Sequence, residues 1–201
     1  MRLDNIKKSY NGKAILNGLT FEAKRGQPIC LFGKSGCGKT TVLNIIAGLT
    51  KADGGSIIGN EGRISYVFQE DRLLEQLSAK ENIMLTARNS KAADSFIEAA
   101  GLSECIDMYP ADMSGGLKRR TAIARAVAFD GGIMLLDEPF NGIDAGRKKA
   151  IAEFLKSFVS DKLCIMVTHD RTDAGLMDAE IFEIINNNYR LISVIWKNVI
   201  W

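Results

Sequence analysis

The stretch Gly33-Lys34-Ser35-Gly36-Cys37-Gly38-Lys39-Thr40-Thr41 holds the residue types that binding a phosphate chain requires. Gly33, Gly36 and Gly38 let the backbone curl and bring its N–H groups close to an anion. Lys39 follows as a point charge for β- and γ-phosphates, and Thr40 offers a hydroxyl placed to ligate Mg²⁺. The flanks agree. Gln27-Pro28-Ile29-Cys30-Leu31-Phe32 reads as a buried strand, and Thr41 to Ala47, closed by Gly48, reads as a helix. Strand, glycine-rich loop and helix together aim a helix N-terminus at phosphate. The plain alternative, a glycine-rich turn that happens to precede a lysine, leaves this agreement of spacing and flanks unexplained.

Four further polar residues follow apolar runs. Asp137 comes after Ile133-Met134-Leu135-Leu136, with Glu138 beside it. Phosphoryl transfer needs charge neutralisation, Mg²⁺ and an aligned nucleophile. Thr40 and Asp137 can hold Mg²⁺, one directly and the other through water. Glu138 stands where a carboxylate can take a proton from attacking water. His169, the single histidine of the chain, follows Leu163-Cys164-Ile165-Met166-Val167-Thr168 and can contact a γ-phosphate. Gln69 ends the run Arg63 to Phe68. The structural alternatives are a turn-capping aspartate, a solvated acid, a packed histidine and a polar loop residue.

Elements must position these groups. Apolar strands alternating with helices imply a mostly parallel sheet covered on both faces. Gln69, Asp137, Glu138 and His169 all follow the carboxyl ends of predicted strands, the edge at which such sheets bind ligands. Residues 1–26 read instead as an antiparallel part. Asn11-Gly12 and Asn17-Gly18 are two hairpin-turn signals, with Ala14-Ile15-Leu16 and Leu19-Thr20-Phe21 as strand residues. Tyr10, just before the first turn, is either a cross-strand packing ring or a platform for a nucleotide base.

Residues 71–112 read as a helical insertion. Ser78 and Glu81 form a capping-box pattern, and Asp94 to Ala100 has helical spacing before Gly101. Ser114 is a good N-cap for a helix through Ala128, with Ile123, Ala126 and Val127 as an apolar stripe and the basic residues mostly off it. Lys148 to Phe158 reads as an amphipathic helix, and Leu191 to Trp201 as an edge strand or an apolar tail that docks on a partner.

The composition narrows the function classes. A chain of 201 residues fits one α/β domain, 46% hydrophobic and 25% charged. A net charge of +2 and the lack of a long basic run give no expectation of nucleic acid as a partner. Cys30, Cys37, Cys105 and Cys164 form no metal-ligand or disulfide pattern. No signal peptide and no run near the roughly 18 apolar residues of a membrane span are present, so a cytoplasmic location is expected.

Together these residues resemble the nucleotide-binding subunit of ATP-binding cassette (ABC) transporters, over nearly the whole chain and in the family's order. Tyr10 falls at the base-stacking aromatic, Gly33 to Thr41 at Walker A and Gln69 at the glutamine loop. Ser114-Gly115-Gly116 match the signature, Asp137-Glu138-Pro139 match Walker B with its catalytic glutamate, Asn141 to Asp144 fall at the D-loop, and His169 falls at the switch histidine. The resemblance implies a single P-loop NTPase domain over 1–201 that binds ATP and Mg²⁺. It implies Glu138, His169 and Lys39 as catalytic residues, and Gln69 beside Thr40 and Asp137 at the metal. It also implies ATP sandwiched between two cassettes, each signature meeting the other's Walker A. The helical insertion and glutamine loop are then expected to touch a transmembrane permease at the inner face of the membrane. Val67 to Leu74 looks most like importer cassettes of the nitrate, sulfonate and taurine type.

The chain departs from the family pattern at several points. Leu117 replaces the usual glutamine after the signature, and Asn141-Gly142 the usual small pair of the D-loop. The insertion and the region after Walker A are short, and no regulatory domain is expected after His169. Two other readings are a soluble cassette ATPase acting on nucleic acid or ribosomes, and a P-loop kinase. The first lacks fused cassettes, coiled arms and a basic surface. The second does not explain Ser114-Gly115-Gly116.

Overall fold

The structure is a computed structural model that describes residues 1–185 and 188–192. Asn11 (φ 50°) and Gly12 (φ 75°) both take the left-handed conformation. A two-residue turn matched to the twist of its strands needs this. They join β1 (Arg2–Tyr10) to β2 (Lys13–Glu22), with Tyr10 opposite Lys13. Asn17-Gly18 does not turn the chain, contrary to the expectation above. It lies inside β2, where Gly18 has φ 85° and the register slips between Ile6 opposite Leu19 and Lys7 opposite Asn17. The slip is a bulge. It allows Leu16 and Leu19, which strict alternation would send to opposite faces, both to be buried.

β3 (Ile29–Phe32) leaves this sheet and ends at the phosphate loop, after which α1 (Lys39–Ile46) begins. β4 (Gly54–Ile58) returns to the free edge of β1, giving an antiparallel sheet of order β2-β1-β4. The remaining strands are β5 (Ile64–Val67), β6 (Ile133–Asp137), β7 (Leu163–Thr168), β8 (Glu180–Ile185) and β9 (Asn188–Ile192). With β3 they form a second sheet of order β5-β6-β7-β3-β8-β9. It is parallel up to β8, and β9 is antiparallel at its edge. This is the α/β architecture expected from the alternation of strands and helices. The edge strand expected over 191–201 starts earlier, at Asn188, and residues 193–201 lie outside the described residues.

Continuously apolar strands have two buried faces. Met134 and Leu136 of β6, with Cys164 and Met166 of β7, face one core. Ile133 and Leu135, with Leu163, Ile165 and Val167, face the other. The first core is covered by α2 (Ala79–Met84), α3 (Ser90–Ala99), α4 (Gly115–Phe129), α5 (Ala145–Phe158) and α6 (Arg171–Leu176), the second by α1 and the antiparallel sheet. The capping box of α2 forms: the Ser78 hydroxyl accepts from Glu81 N–H and the Glu81 carboxylate accepts from Ser78 N–H at 2.8 Å. α5 starts at Ala145 rather than Lys148, because the Asp144 carboxylate accepts the Arg147 N–H at 3.0 Å and caps the helix. Among the described residues no helix is long and apolar enough to cross a membrane.

Candidate active site

The phosphate loop sits where β3 ends. Gly38 takes φ 100°, and a Cβ there would meet the Ile15 and Leu16 side chains at 2.8 Å, so the loop lies directly on β2. A Cβ on Gly33 would meet Cys37 Sγ at 2.9 Å. Gly36, with φ 79°, has open space around it. The curled backbone thus presses against the protein at two glycines and faces an open cavity of about 360 Å³ at the third. Ser35, Gly38, Lys39, Thr40 and Thr41 also line that cavity. Tyr10, half exposed at the end of β1, and Gln69, just past β5, stand on its wall. Lys39 is buried, and its ammonium donates to Gly33 O at 2.7 Å and Lys34 O at 3.1 Å. An ammonium has three protons, so one remains for an anion.

Asp137 and Glu138 close the cavity from the end of β6. Asp137 is 1% exposed, and neither of its carboxylate oxygens has a hydrogen-bond partner. Burial pushes its pKa up; Thr40, close by but outside hydrogen-bond geometry, and the Arg119 and Lys39 charges pull the other way. A buried carboxylate without partners is costly and suits a cation. Among the described residues there is no group of three or more His, Cys, Asp or Glu that could hold a metal by itself. Asp137, Thr40 and Gln69 line the same cavity, and a carboxylate, a hydroxyl and an amide oxygen are hard donors of the kind Mg²⁺ takes beside phosphate oxygens and water.

Glu138 has φ 50°, an uncommon conformation for a residue with a side chain, held by its N–H donating to Val167 O at 2.9 Å. One carboxylate oxygen accepts from the Thr168 hydroxyl at 3.1 Å. The other lies 2.8 Å from His169 Nδ1. The site thus brings Tyr10, Lys39, Thr40, Gln69, Asp137, Glu138 and His169 together from the ends of five strands, β1, β3, β5, β6 and β7. Lys34 lies exposed on the rim.

Ser114, Gly115 and Gly116 are not at this cavity. Ser114 caps α4, accepting the Leu117 N–H at 3.3 Å, and Ser114 and Gly115 are exposed. A Cβ on Gly116 would lie 2.7 Å from Gly142 O, so the signature rests on the D-loop backbone. Leu117 packs partly buried against the core shared by the helical insertion.

Arg119 joins this site although no motif in the sequence singles it out. The basic residues of α4 were expected mostly off the buried face, yet Arg119 is 2% exposed. It donates to Phe68 O at 2.5 Å, to Glu138 O at 2.6 Å and to Asp137 O. Its place one turn before Ile123 was the available signal, since residues four apart share a helix face.

The sequence and the fold both have known counterparts. The family model "ABC transporter" matches residues 16–141, which run from β2 through Walker A, the signature and Walker B. The aliphatic sulfonates import ATP-binding protein SsuB 2 of Pseudomonas syringae pv. tomato is 35% identical over 84% of this chain and 75% of its own. The sulfate/thiosulfate import ATP-binding protein CysA 1 of Shewanella oneidensis is 33% identical over 96% of this chain and 58% of its own. Among solved structures, the dimer of the bacterial ABC transporter cassette MJ0796 superposes with a TM-score of 0.79 at 28% identity, covering 90% of this chain and 93% of that one. The same cassette in a post-hydrolysis state bound to ADP and Pi gives a TM-score of 0.81. With that match spanning the phosphate loop and Walker B, the chain belongs to the ABC transporter family, as one of its ATP-binding cassettes.

Proposed function

We propose that the chain is the ATP-hydrolysing subunit of a membrane importer, working as a pair of cassettes that closes on two ATP molecules. The observation that carries this reading is the division of the site. Walker A residues, Asp137 and Glu138 line one cavity, with His169 bonded to Glu138, while Ser114-Gly115-Gly116 present a helix start elsewhere on the same chain. An exposed helix N-terminus with two glycine N–H groups suits an anion held by a second copy.

Tyr10 stacks on the base, the loop N–H groups and Lys39 bind the phosphates, and Thr40, Asp137 and Gln69 hold Mg²⁺. The metal, when bound, neutralises charge developing on the phosphates. Glu138 takes the proton of the attacking water, and His169 orients Glu138 and meets the γ-phosphate. Beside the glutamine loop lies an exposed apolar groove lined by Leu49, Tyr66, Phe68, Leu74 and Leu85, in which Leu49 is 60% and Leu85 56% exposed. We assign it to the permease, which would hold the cassette at the inner face of the membrane. The importers named among the relatives favour this over a role on nucleic acid, as does the small net charge.

The test is Glu138→Gln. It is expected to bind ATP, to lose roughly 10²-fold or more in hydrolysis, and to accumulate as an ATP-dependent dimer on gel filtration. A monomer with intact hydrolysis overturns the assignment. Co-purification with a permease from membranes tests the transport role.

A further inference from the structure

Arg119 joins two loops that the proposed function assigns to different tasks. Its side chain is 3% exposed. Nη1 donates to Phe68 O at 2.5 Å and to the Asp71 carboxylate at 3.1 Å. Nη2 donates to Glu138 O at 2.6 Å and to Asp137 O. Phe68 follows β5 and Asp137 ends β6, neighbouring strands with Val67 opposite Leu136. One planar guanidinium therefore bridges both strand ends, with separate nitrogens serving the two sides. An ammonium lacks that fork.

The same helix holds the rest of the segment. Arg125 donates to Asp71 O at 3.0 Å and to Arg72 O at 2.9 Å. Arg72 in turn lies over the Phe68 ring at 4.0 Å, on the wall of the apolar groove. On the other side of Arg119, Glu138 keeps a strained backbone that needs outside support.

We propose that Arg119 is a positioning residue, which couples the glutamine-loop segment 68–72 to the backbone carrying Asp137 and Glu138. The coupling rests on the proposed function, in which a permease touches that segment. A shift of Phe68 and Gln69 either carries the Walker B end with it or breaks charged hydrogen bonds around a buried guanidinium. The second course is costly, because the charge has no water to turn to. Movement in the groove thus reaches the general base through one side chain.

The test uses the whole chain with Arg119→Gln, Arg119→Lys and Asp71→Asn. Asp71 does not line the nucleotide cavity, and its side chain is 24% exposed, so its replacement leaves the core filled. In Arg119→Gln we expect kcat for ATP hydrolysis to fall about tenfold, with KM for ATP changed less than about twofold. Asp71→Asn should lower kcat less, and the double variant should be no slower than Arg119→Gln alone, because one link is lost only once. Arg119→Lys keeps the charge but reaches one side, so it should also lose kcat. Unchanged kcat in folded Arg119→Gln, additive losses in the double variant, or a lower Tm with unchanged kcat each overturns the coupling. If Arg119→Gln does not fold, Arg119→Lys and Asp71→Asn decide, and unchanged kcat in both overturns it. A wild-type chain that fails to hydrolyse ATP overturns the proposed function and the coupling with it. Hydrolysis by wild type matched by Arg119→Gln overturns the coupling alone.

Discussion

Glu138 Oε1 and His169 Nδ1 meet at 2.8 Å across the ends of β6 and β7. The histidine ring is 64% exposed while the carboxylate is 12% exposed, so an exposed ring is tied to a largely buried acid. The neighbouring Thr168 hydroxyl holds the second carboxylate oxygen at 3.1 Å and leaves the acid one orientation.

His169→Ala removes the tether and the group that meets the γ-phosphate, but no part of the Walker A cradle. We expect ATP affinity within a fewfold of wild type and kcat at least about tenfold lower. Nucleotide titration and steady-state hydrolysis separate the two. A variant whose kcat stays within about twofold of wild type contradicts the role given to His169.

Asp137 makes the nucleotide-free chain sensitive to pH. Burial raises its pKa, so the folded chain binds this proton more tightly than the unfolded one. Its contribution to stability is complete below the ordinary carboxyl pKa of about 3.9 and is lost as pH rises through the raised value. Asp137→Asn should therefore melt higher than wild type at pH 7 without nucleotide, with a gain that shrinks as the solution is acidified, and it should not hydrolyse ATP. Thermal melts across pH check this; a gain that is the same at every pH rules out titration of Asp137 as its source.

The two signature glycines should behave differently within one chain. A Cβ on Gly115 meets nothing, whereas on Gly116 it lies 2.7 Å from Gly142 O. Gly115→Ala should keep or raise Tm, because alanine favours the helix. Gly116→Ala should cost about 1–3 kcal/mol by forcing the D-loop backbone away. Denaturant unfolding of both variants measures it, and equal stabilities would show that the D-loop gives way freely.

The thiols report on the loop. Burial pushes Cys30 and Cys164 up to about 12, so they stay protonated and covered. Cys37 and Cys105 are partly exposed. Maleimide should label those two, ATP should protect Cys37 alone, and labelled Cys37 should block ATP binding by bulk. Mass spectrometry locates the adducts; full nucleotide affinity after Cys37 is modified refutes the block.

Much of the fold was legible in the sequence because its signals are local. The apolar runs at Ile133 to Leu136 and Leu163 to Thr168 must be covered on both faces, and the structure divides them by alternate residue between two cores. Asn11-Gly12 specifies its turn because both residues tolerate positive φ. Asn17-Gly18 carries the same signal and makes a bulge. There β1 continues alongside, and burying Leu16 and Leu19 together outweighs a local turn preference.

The phosphate loop, the carboxylates after β6 and the histidine after β7 were set by residue type and spacing, since each needs only its own strand and turn. Tertiary structure alone decided how these pieces meet. It left Asp137 buried without a partner, joined Glu138 to His169, and turned Arg119 inward between two strand ends. It also placed Ser114-Gly115-Gly116 outside the cavity, on the D-loop backbone. Those outcomes depend on which strands lie side by side. Strand order is a property of the packed sheet, and no single stretch of sequence carries it.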